Sequence, residues 1–453
     1  MKCQAWRILI VADLGVASSK PIVCDTAYDW MKALRPEIEI KPPKGNPRTE
    51  PVRLNPTDLE MLKPDNFIKN LEPAGPVDAA LLDAILHDPA FQRLESAVCG
   101  ISTLKTYCEA SCSVEIVSTP RKDLAENFRS AVFDYMMQDA SAGDPYSLIL
   151  LDFDFTHQAA SLAALRDIAR MAKVMQAPIV ASASPGFFDF RYMAHVSKLG
   201  DLTSRLVDSS HLGWIQFQAT DEARWTALTI NRYLQRAPYQ TENYTETVKE
   251  AEPESFLWGR GIYLVGSAVA RSVKEYGHAL AISGGQGGMF AGLPVRPYPV
   301  AANESVPLAA ETALEEMKVL ELYRAGFIPV WGKLRSDTVA LPMMVTTFRM
   351  RPGTLTLEGT LPYQLTAARL AQCCILLLDH LPAGGPEETA EFIRLELTTL
   401  LGELAGEQPD KAVQIEVLQE EGQSPAAHVM IHPKVTLEGK PLEFEFMLPL
   451  RGC

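Results

Sequence analysis

The sequence predicts an α/β (α+β) fold with a mixed sheet core, flanking helices and C-terminal antiparallel strands. Three observations support this prediction. Helical and strand patterns alternate over residues 77–184, where two of the strands are nearly continuous apolar runs. A long helix with one apolar face is predicted to open between Phe256 and Gly261. Beyond residue 405, apolar and polar side chains alternate along three strands near the end of the chain.

The first of these regions has the order helix, strand, helix, strand, helix, strand. Its strands are SVEIVS, YSLILLDFDF and APIVASAS, at residues 113–118, 146–155 and 177–184. Strands without polar alternation are typical of a sheet that crossover helices cover on both faces. Residues 77–184 are therefore predicted to form an α/β layer.

The next region, from Leu228 to Tyr276, contains an apolar run that is interrupted at Pro238 and is followed by the long helix. The apolar residues around the helix recur at steps close to the helical period. They are Leu257, Ile262, Val265, Val269 and Val273. One face of this helix is therefore expected to be buried.

The C-terminal region begins with a long helix near Leu361 and a shorter acidic helix, and continues as the strands AVQIEVLQ, AAHVMIHPKV and PLEFEFML. The last strand has an apolar face and an acidic face, formed by Phe444, Phe446 and Leu448 and by Glu443 and Glu445. Such alternation indicates half-exposed antiparallel strands.

Composition excludes several classes of partner. With 453 residues, 47% of them hydrophobic and 22% charged, the chain can bury two or three domain-sized cores. A formal net charge of −14 argues against nucleic acid or anionic lipid as a partner, because both require concentrated Lys and Arg. No apolar run approaches the roughly 18 residues of a membrane span, and the start MKCQAWR is unlike a secretory signal. A cytoplasmic protein without membrane insertion is expected.

Metal and cofactor sites are not expected from the sequence. The eight cysteines form no CxxC pair, and Cys108 with Cys112 has no neighbouring histidine to complete a zinc site. His428 and His432 fall on one face of a strand without a third ligand, and His278 is interpreted as a helix C-cap.

Two motifs suggest an alternative, enzymatic function. The strand LILLDFDFT ends in Asp-x-Asp-x-Thr, the arrangement by which haloacid-dehalogenase-like phosphatases present a nucleophile, here Asp152, and an acid/base, here Asp154, beside Mg²⁺. Ser182 or Ser184 could supply the next motif, but the further acidic pair that the metal requires is missing. The glycines at residues 284–288 lead into GLPVRPYP rather than into a phosphate-binding helix, so a tight turn is predicted. The chain is therefore predicted not to be an enzyme.

The motifs of the large region resemble, in order, those of the large subunit of the type VI secretion contractile sheath, the TssC (VipB) family. LTINRYLQRAPY and ESFLWGRGIYLVG resemble its R-x-PY and LWG-x-x-x-Y elements, and LHDPAFQRLESAVCGISTLK resembles its helical HxxFQxLE segment. ISGGQGGMFAGLPV, Glu311, ELYRAGFIPV, LPYQLTAARLAQ and HVMIHPKVTLEGKPLEFEFMLPL resemble later elements, so that the resemblance covers residues 81–450. It implies a contractile-sheath-like fold.

The resemblance also implies roles for individual residues. Those with expected structural roles are Phe91, Gln92, Leu94, Glu95, Arg236, Pro238, Tyr239, Leu257, Trp258, Gly259, Gly287, Gly288, Leu293, Pro294 and Arg369. Those expected to form an assembly edge are Leu442, Phe444, Glu445, Phe446 and Leu448.

The N-terminal segment resembles the conserved core of the small sheath subunit, TssB (VipA). The resemblance rests on WRILIVADLG, YDWMKALRPEIEI and VRLNPTDLEMLKPDNFIKN. The linker NLEPAGPVD contains Pro73, Gly75 and Pro76, where a helix cannot easily continue. Residues 1–75 are therefore predicted to be a TssB-like segment, fused to a TssC-like region at residues 76–453.

The function that the resemblance implies is helical assembly around an inner tube and contraction that drives this tube outward. Implied partners are copies of the chain itself or other sheath subunits, the inner tube protein, baseplate proteins and a ClpV-type ATPase. The resemblance also implies long extensions for strand exchange and for gripping by ClpV, and these are not expected to fit between Asn70 and Leu81. The alternative is therefore a sheath-like accessory, baseplate or regulatory protein that does not form the long tube.

Overall fold

A computed structural model of the chain describes residues 6–19, 22–24, 51–54, 79–108, 111–138, 144–239, 250, 253–378, 380–382, 384–418 and 425–450. The predicted segment YDWMKALRPEIEI, the linker NLEPAGPVD and most of VRLNPTDLEMLKPDNFIKN lie outside the described residues. Of VRLNPTDLEMLKPDNFIKN, the structure describes only the strand Val52–Leu54.

The strands of the described residues are β1 (Trp6–Ala12), β2 (Val16–Ser19), β3 (Ile22–Cys24), β4 (Val52–Leu54), β5 (Cys112–Ser118), β6 (Leu148–Phe155), β7 (Ile179–Ala183), β8 (Thr226–Ile230), β9 (Arg232–Leu234), β10 (Trp258–Arg260), β11 (Met289–Phe290), β12 (Arg296–Ala301), β13 (Glu304–Leu308), β14 (Phe327–Pro329), β15 (Trp331–Gly332), β16 (Val339–Ala340), β17 (Val413–Leu418), β18 (Ala426–Ile431), β19 (Thr436–Leu437), β20 (Lys440–Pro441) and β21 (Phe444–Pro449). The helices are α1 (Ala79–Leu86), α2 (Pro89–Tyr107), α3 (Leu124–Phe128), α4 (Tyr135–Gln138), α5 (Ala159–Met175), α6 (Met193–Ser197), α7 (Leu202–Leu206), α8 (Leu212–Gln218), α9 (Ile262–Tyr276), α10 (Gly284–Gly287), α11 (Glu316–Arg324), α12 (Leu361–Leu378), α13 (Pro386–Leu401) and α14 (Pro409–Ala412). A π-helical turn, Arg129–Asp134, joins α3 to α4.

The central sheet has seven strands in the order β14-β8-β7-β6-β1-β5-β4. All neighbours pair in parallel except β4, which runs antiparallel to β5. The predicted mixed sheet core is therefore confirmed. Strand β1 from the N-terminal segment lies in the interior of this sheet, because Ile8 pairs with Val114 of β5 on one side and with Leu148 of β6 on the other.

Both faces of the central sheet are covered. On β1, Ile8 and Ile10 face a core formed with helices α2 and α9, and Leu9 and Val11 face a second core formed with α5. Helices α2 and α9 approach closely at Gly100, where an added Cβ would lie 2.3 Å from the ring of Tyr263. This burial on two faces explains why the strands show no polar alternation.

The C-terminal residues form a separate layer. Strands β17, β18 and β21 make an antiparallel sheet in that order, and helices α12 and α13 cover its apolar face. The predicted alternation in β21 is confirmed, since Phe444 and Leu448 are buried and Glu443 and Glu445 are exposed. Helix α12 is long and apolar enough to cross a membrane by composition, but 67% of it is buried inside the protein, as in a core helix.

Two predictions about the region around α9 are wrong. The helix does not include Leu257, because Trp258–Arg260 forms strand β10, antiparallel to β9, and the helix begins at Ile262. The residue that caps its C-terminus is Gly277, whose φ of 74° favours glycine. The imidazole of His278 accepts a hydrogen bond from the Leu280 amide through Nδ1 instead of meeting a free helix carbonyl.

Candidate functional site

Two of the predicted motif residues, Glu95 and Tyr239, meet at the half-buried guanidinium of a third, Arg236. Arg236, which follows strand β9, donates to Glu95 of helix α2 at 2.8 Å and makes a bidentate pair with Glu250 at 2.7 and 2.8 Å. The Glu250 side chain has no exposed surface, and it also accepts the Tyr239 amide at 2.7 Å. The guanidinium lies 3.6 Å from the centre of the Tyr239 ring. Arg236, which precedes Pro238, thus links Glu95 of helix α2 to Glu250 and to Tyr239, which both follow Pro238 in the chain.

The charges of this cluster compensate one another. Burial alone would lower the pKa of Arg236, but its hydrogen bonds to Glu250 and the charge of Glu95 outweigh this effect and raise that pKa well above its ordinary value. A buried carboxylate is tolerated only when it is paired and hydrogen-bonded. Arg236 therefore supplies the cation that the buried Glu250 side chain requires.

The motif residues of α2 and β10 meet beside this cluster. Ser96 Oγ donates to the carbonyl of Trp258 at 2.9 Å, and Gln92 donates to the carbonyl of Ser255 at 3.3 Å. Gly259 lies against Gln235, whose Nε2 would be 2.1 Å from an added Cβ. Phe91, Leu94, Leu257 and Pro238 are buried. These residues therefore share a packing role along one side of α2.

The other predicted motif residues lie elsewhere. Gly287 and Gly288 sit in the short helix α10 and its end, where an added Cβ would come within 1.8 Å of the Ala281 carbonyl oxygen and 2.3 Å of the Leu341 carbonyl oxygen. This close backbone approach, rather than a phosphate, explains the glycines. Leu293 and Pro294 are half-buried in the following segment. Arg369 of α12 is buried, with its guanidinium 5.9 Å from the Trp6 ring.

A second arginine binds the two carboxylates that resemble a phosphatase site. Arg260 of β10 donates to Asp152 at 2.9 Å and to both oxygens of Asp154 at 2.9 and 2.7 Å. The hydroxyl of Tyr263 donates to the second oxygen of Asp152 at 2.9 Å. Burial alone would raise the pKa of Asp154, but Arg260 reverses this and holds the pKa below its ordinary value. These carboxylates therefore neutralise an arginine.

The predicted assembly residues lie on or beside the last strand of the C-terminal sheet. Strand β21 pairs with β18 on one side, with Phe444 opposite Ile431 and Glu445 opposite Met430, and within the described ranges its other side has no strand partner. Phe444 stacks on Tyr363 of α12 with ring centres 4.9 Å apart. Leu442 and Leu448 are buried and Phe446 is half-buried. The strand is thus anchored on one face and presents its outer backbone edge.

The sequence profile of the VipB family, described as EvpB/VC_A0108, tail sheath N-terminal domain, matches residues 77–346. The match covers more than half of the chain. The chain belongs to the VipB tail sheath family. The match begins at residue 77, so the TssB-like character of residues 1–75 stays a prediction.

Individual members of the family and related structures are distant. TssC1, a type VI secretion system sheath protein of Pseudomonas aeruginosa, is 25% identical over 284 residues, which cover 58% of this chain and 57% of that relative. The chain thus spans little more than half the length of this VipB-family relative. A chain of the anti-feeding prophage baseplate aligns with a TM-score of 0.48 at 10% identity, covering 100% of this chain and 91% of its own length. A sheath tail protein of Listeria innocua aligns with a TM-score of 0.37 at 12% identity, covering 74% and 62%.

Sequence reasoning missed Glu250 and Arg260 of these clusters, and it identified Tyr263 only as the last position of the LWG-x-x-x-Y element, without a role for its hydroxyl. Glu250 lies in a polar stretch with no periodic pattern, so nothing in the sequence marks it as buried. A signal for Arg260 was present, because Asp152 and Asp154 lie in an apolar strand and buried carboxylates require a cation. The arginine in LWGRG, close in sequence to a tyrosine, was the nearest candidate.

Proposed function

We propose that this protein is a structural subunit of a type VI secretion contractile sheath that assembles helically around an inner tube in the cytoplasm. The observation that carries the proposal is the open edge of β21 in a member of the VipB tail sheath family. An antiparallel edge strand offers unpaired N–H and C=O groups to a strand of a neighbouring molecule. Repetition of one such contact with a fixed rotation and rise builds a helical tube.

The proposed partners follow from membership of the VipB tail sheath family. Other copies of the chain or other sheath subunits would supply the added strand, the inner tube protein would occupy the lumen, and baseplate proteins would hold one end. If the protein forms no tube, its function is that of a sheath-like accessory protein. The next experiment distinguishes these two functions.

The proposal is tested by blocking the edge of β21. Glu445 is exposed and its side chain packs on no core, so Glu445→Pro removes a backbone donor from the strand without opening a cavity. We expect wild-type protein at high concentration to form tubes or stacked rings in negative-stain micrographs, and the proline variant to form none. Glu445→Ala, which keeps the amide, is the matched control and should assemble.

Thermal melting must accompany this comparison, because a proline that faces β18 would also weaken the fold. Met447→Lys provides a second test, since it keeps every backbone group and places a charge on the exposed side of the same strand. Tubes that persist in Glu445→Pro and Met447→Lys would refute strand addition at this edge. A wild-type protein that remains monomeric, alone and with sheath subunits, would refute the sheath polymer and leave the accessory function as the alternative.

We further propose that Asp152 and Asp154 have no catalytic role. Their support of Arg260 and Tyr263 gives them a structural role without any substrate. With Mg²⁺ and a small phosphate ester, we expect no phosphate release above the background of a heat-denatured sample. A turnover that disappears in Asp152→Asn, while a folded control such as Asp167→Asn on the surface of α5 retains it, would establish the phosphatase alternative instead.

We also propose that residues 1–75 correspond to a small sheath subunit fused to a large one at residues 76–453. The position of β1 supports this proposal, because a strand from the first segment completes the sheet of the second. The same arrangement would hold two separate chains together.

A further inference from the structure

Two histidines and an aspartate converge at one end of the central sheet, apart from the clusters described above. His157 follows β6, Asp189 follows the short turn after β7, and His211 precedes α8. One ligand atom of each residue lies within 4.8 Å of those of the other two. The carboxyl ends of neighbouring parallel strands bring the first two together, although all three are far apart in sequence.

Each histidine ring is oriented by a backbone carbonyl. His211 Nε2 donates to the carbonyl of Phe187 at 2.9 Å, and His157 Nδ1 donates to the carbonyl of Ser210 at 3.2 Å. A carbonyl can only accept, so these two nitrogens carry protons. The remaining nitrogens, His211 Nδ1 and His157 Nε2, are then free to act as ligands, which is the arrangement of most metal-binding histidines.

The third ligand, Asp189, is oriented by an arginine. Its Oδ1 lies 2.7 Å from His157 Nε2, and its other oxygen accepts from Arg205 at 3.3 Å. The rings of His157 and His211 are tilted by 32° with centres 4.3 Å apart. His211 Nδ1 lies 2.9 Å from the hydroxyl of Ser210, which can rotate away.

The contact between His157 and Asp189 places an imidazole nitrogen and a carboxylate oxygen side by side. Nε2 of His157 lies 2.7 Å from Asp189 Oδ1, while Nδ1 lies 3.2 Å from the Ser210 carbonyl. A divalent ion that binds at this point can take one ligand from each side chain. Tetrahedral bonds of roughly 2.0–2.1 Å to zinc place ligand atoms about 3.3 Å apart, and the three ligand atoms here all lie within 4.8 Å of one another.

We propose that His157, Asp189 and His211 form a binding site for a zinc-class transition metal, with the fourth position open to solvent or to a ligand from another molecule. Two imidazoles and one carboxylate select such ions over Mg²⁺ and Ca²⁺, which prefer oxygen ligands. His211 is buried and Asp189 is half-exposed, so the ion can enter from the surface and reach a fixed ligand. The ion would fasten the segments that follow β6 and β7 to the start of α8. This site is independent of sheath assembly.

The site can be tested with cobalt as a spectroscopic probe. The full-length protein is stripped with chelator and titrated with Co²⁺, and the visible absorption of tetrahedral cobalt is followed before Zn²⁺ is added in competition. We expect saturation at one equivalent, displacement by Zn²⁺, and a thermal midpoint that rises when Zn²⁺ is bound.

Variants separate the site from adventitious binding. Asp189→Asn and His157→Ala should weaken Co²⁺ binding at least tenfold without unfolding the chain, because neither side chain is in the core. His380→Ala, which removes an exposed imidazole elsewhere, should bind as the wild type does. Wild-type protein without a cobalt spectrum, or variants that bind with unchanged affinity, would overturn the proposal and leave a hydrogen-bonded His157–Asp189 pair only.

Discussion

Deletion of residues 1–75 is expected to abolish the cooperative folding of the rest of the chain. The deletion removes β1, which pairs along its length with β5 and over four residues with β6. Without it, the sheet is divided and β5 and β4 lose their connection to the other strands. We therefore expect the fragment 76–453 to be insoluble, or to melt without a cooperative transition by circular dichroism.

The size of this effect follows from burial. Ile8, Leu9, Ile10 and Val11 have no exposed surface and contribute to the cores on both faces of the sheet. Burial of each side chain is worth about 1.5–3 kcal/mol, so the four together supply about 6–12 kcal/mol. This is comparable to the entire stability of about 5–15 kcal/mol that is usual for a folded protein.

Expression of the two pieces together tests the proposed fusion. If residues 1–75 correspond to a separate subunit, this piece and residues 76–453 should copurify and recover a cooperative transition. The control is full-length protein with a protease site inserted at residue 75, which should melt similarly before and after cleavage. A fragment 76–453 that melts cooperatively near the midpoint of the full chain would contradict the role assigned to β1.

The local structure of this protein follows closely from its sequence, whereas the strand order does not. The alternation of Phe444 and Glu445 in β21 has the period of a strand, and the short, nearly continuous apolar runs of β6 and β7 are typical of strands that are buried on both faces. The position of β1 between β5 and β6 depends on contacts between residues about a hundred positions apart, which no local pattern encodes. The sequence therefore predicts the elements and the sheet class, but not which strand completes the sheet.

The functional clusters show the same division. Glu95 and Arg236 could be selected from the motifs of a family, but Glu250, the second carboxylate that Arg236 binds, could not, because a single acidic residue in a polar segment carries no signal of burial. Asp152 and Asp154 carried an ambiguous signal, since a buried strand that ends in two carboxylates is compatible with catalysis and with an internal ion pair. The position of Arg260, which lies outside that motif, shows the ion pair.

Replacement of Arg236 by methionine is expected to lower the free energy of unfolding by about 3–5 kcal/mol, because it leaves a buried carboxylate without its cation. Among the described residues, Glu250 would keep only the Tyr239 amide and the His87 ring, at 3.4 Å, as partners of its side chain. Arg335→Met is the matched control. It breaks a salt bridge to Glu304 that is mostly exposed, and should cost at most about 1 kcal/mol.

The double variant Arg236→Met with Glu250→Gln distinguishes an unpaired charge from a lost contact. If the cost of Arg236→Met comes from the charge left on Glu250, the second change removes that charge and should recover part of the stability, so that the two effects are not additive. Urea unfolding followed by tryptophan fluorescence measures all four proteins under one condition. If Arg236→Met is no less stable than Arg335→Met, Arg236 is dispensable for stability. If the double variant is less stable than Arg236→Met alone, the loss of stability comes from lost packing. The fold would then depend on the shape of the guanidinium against Tyr239 rather than on its charge.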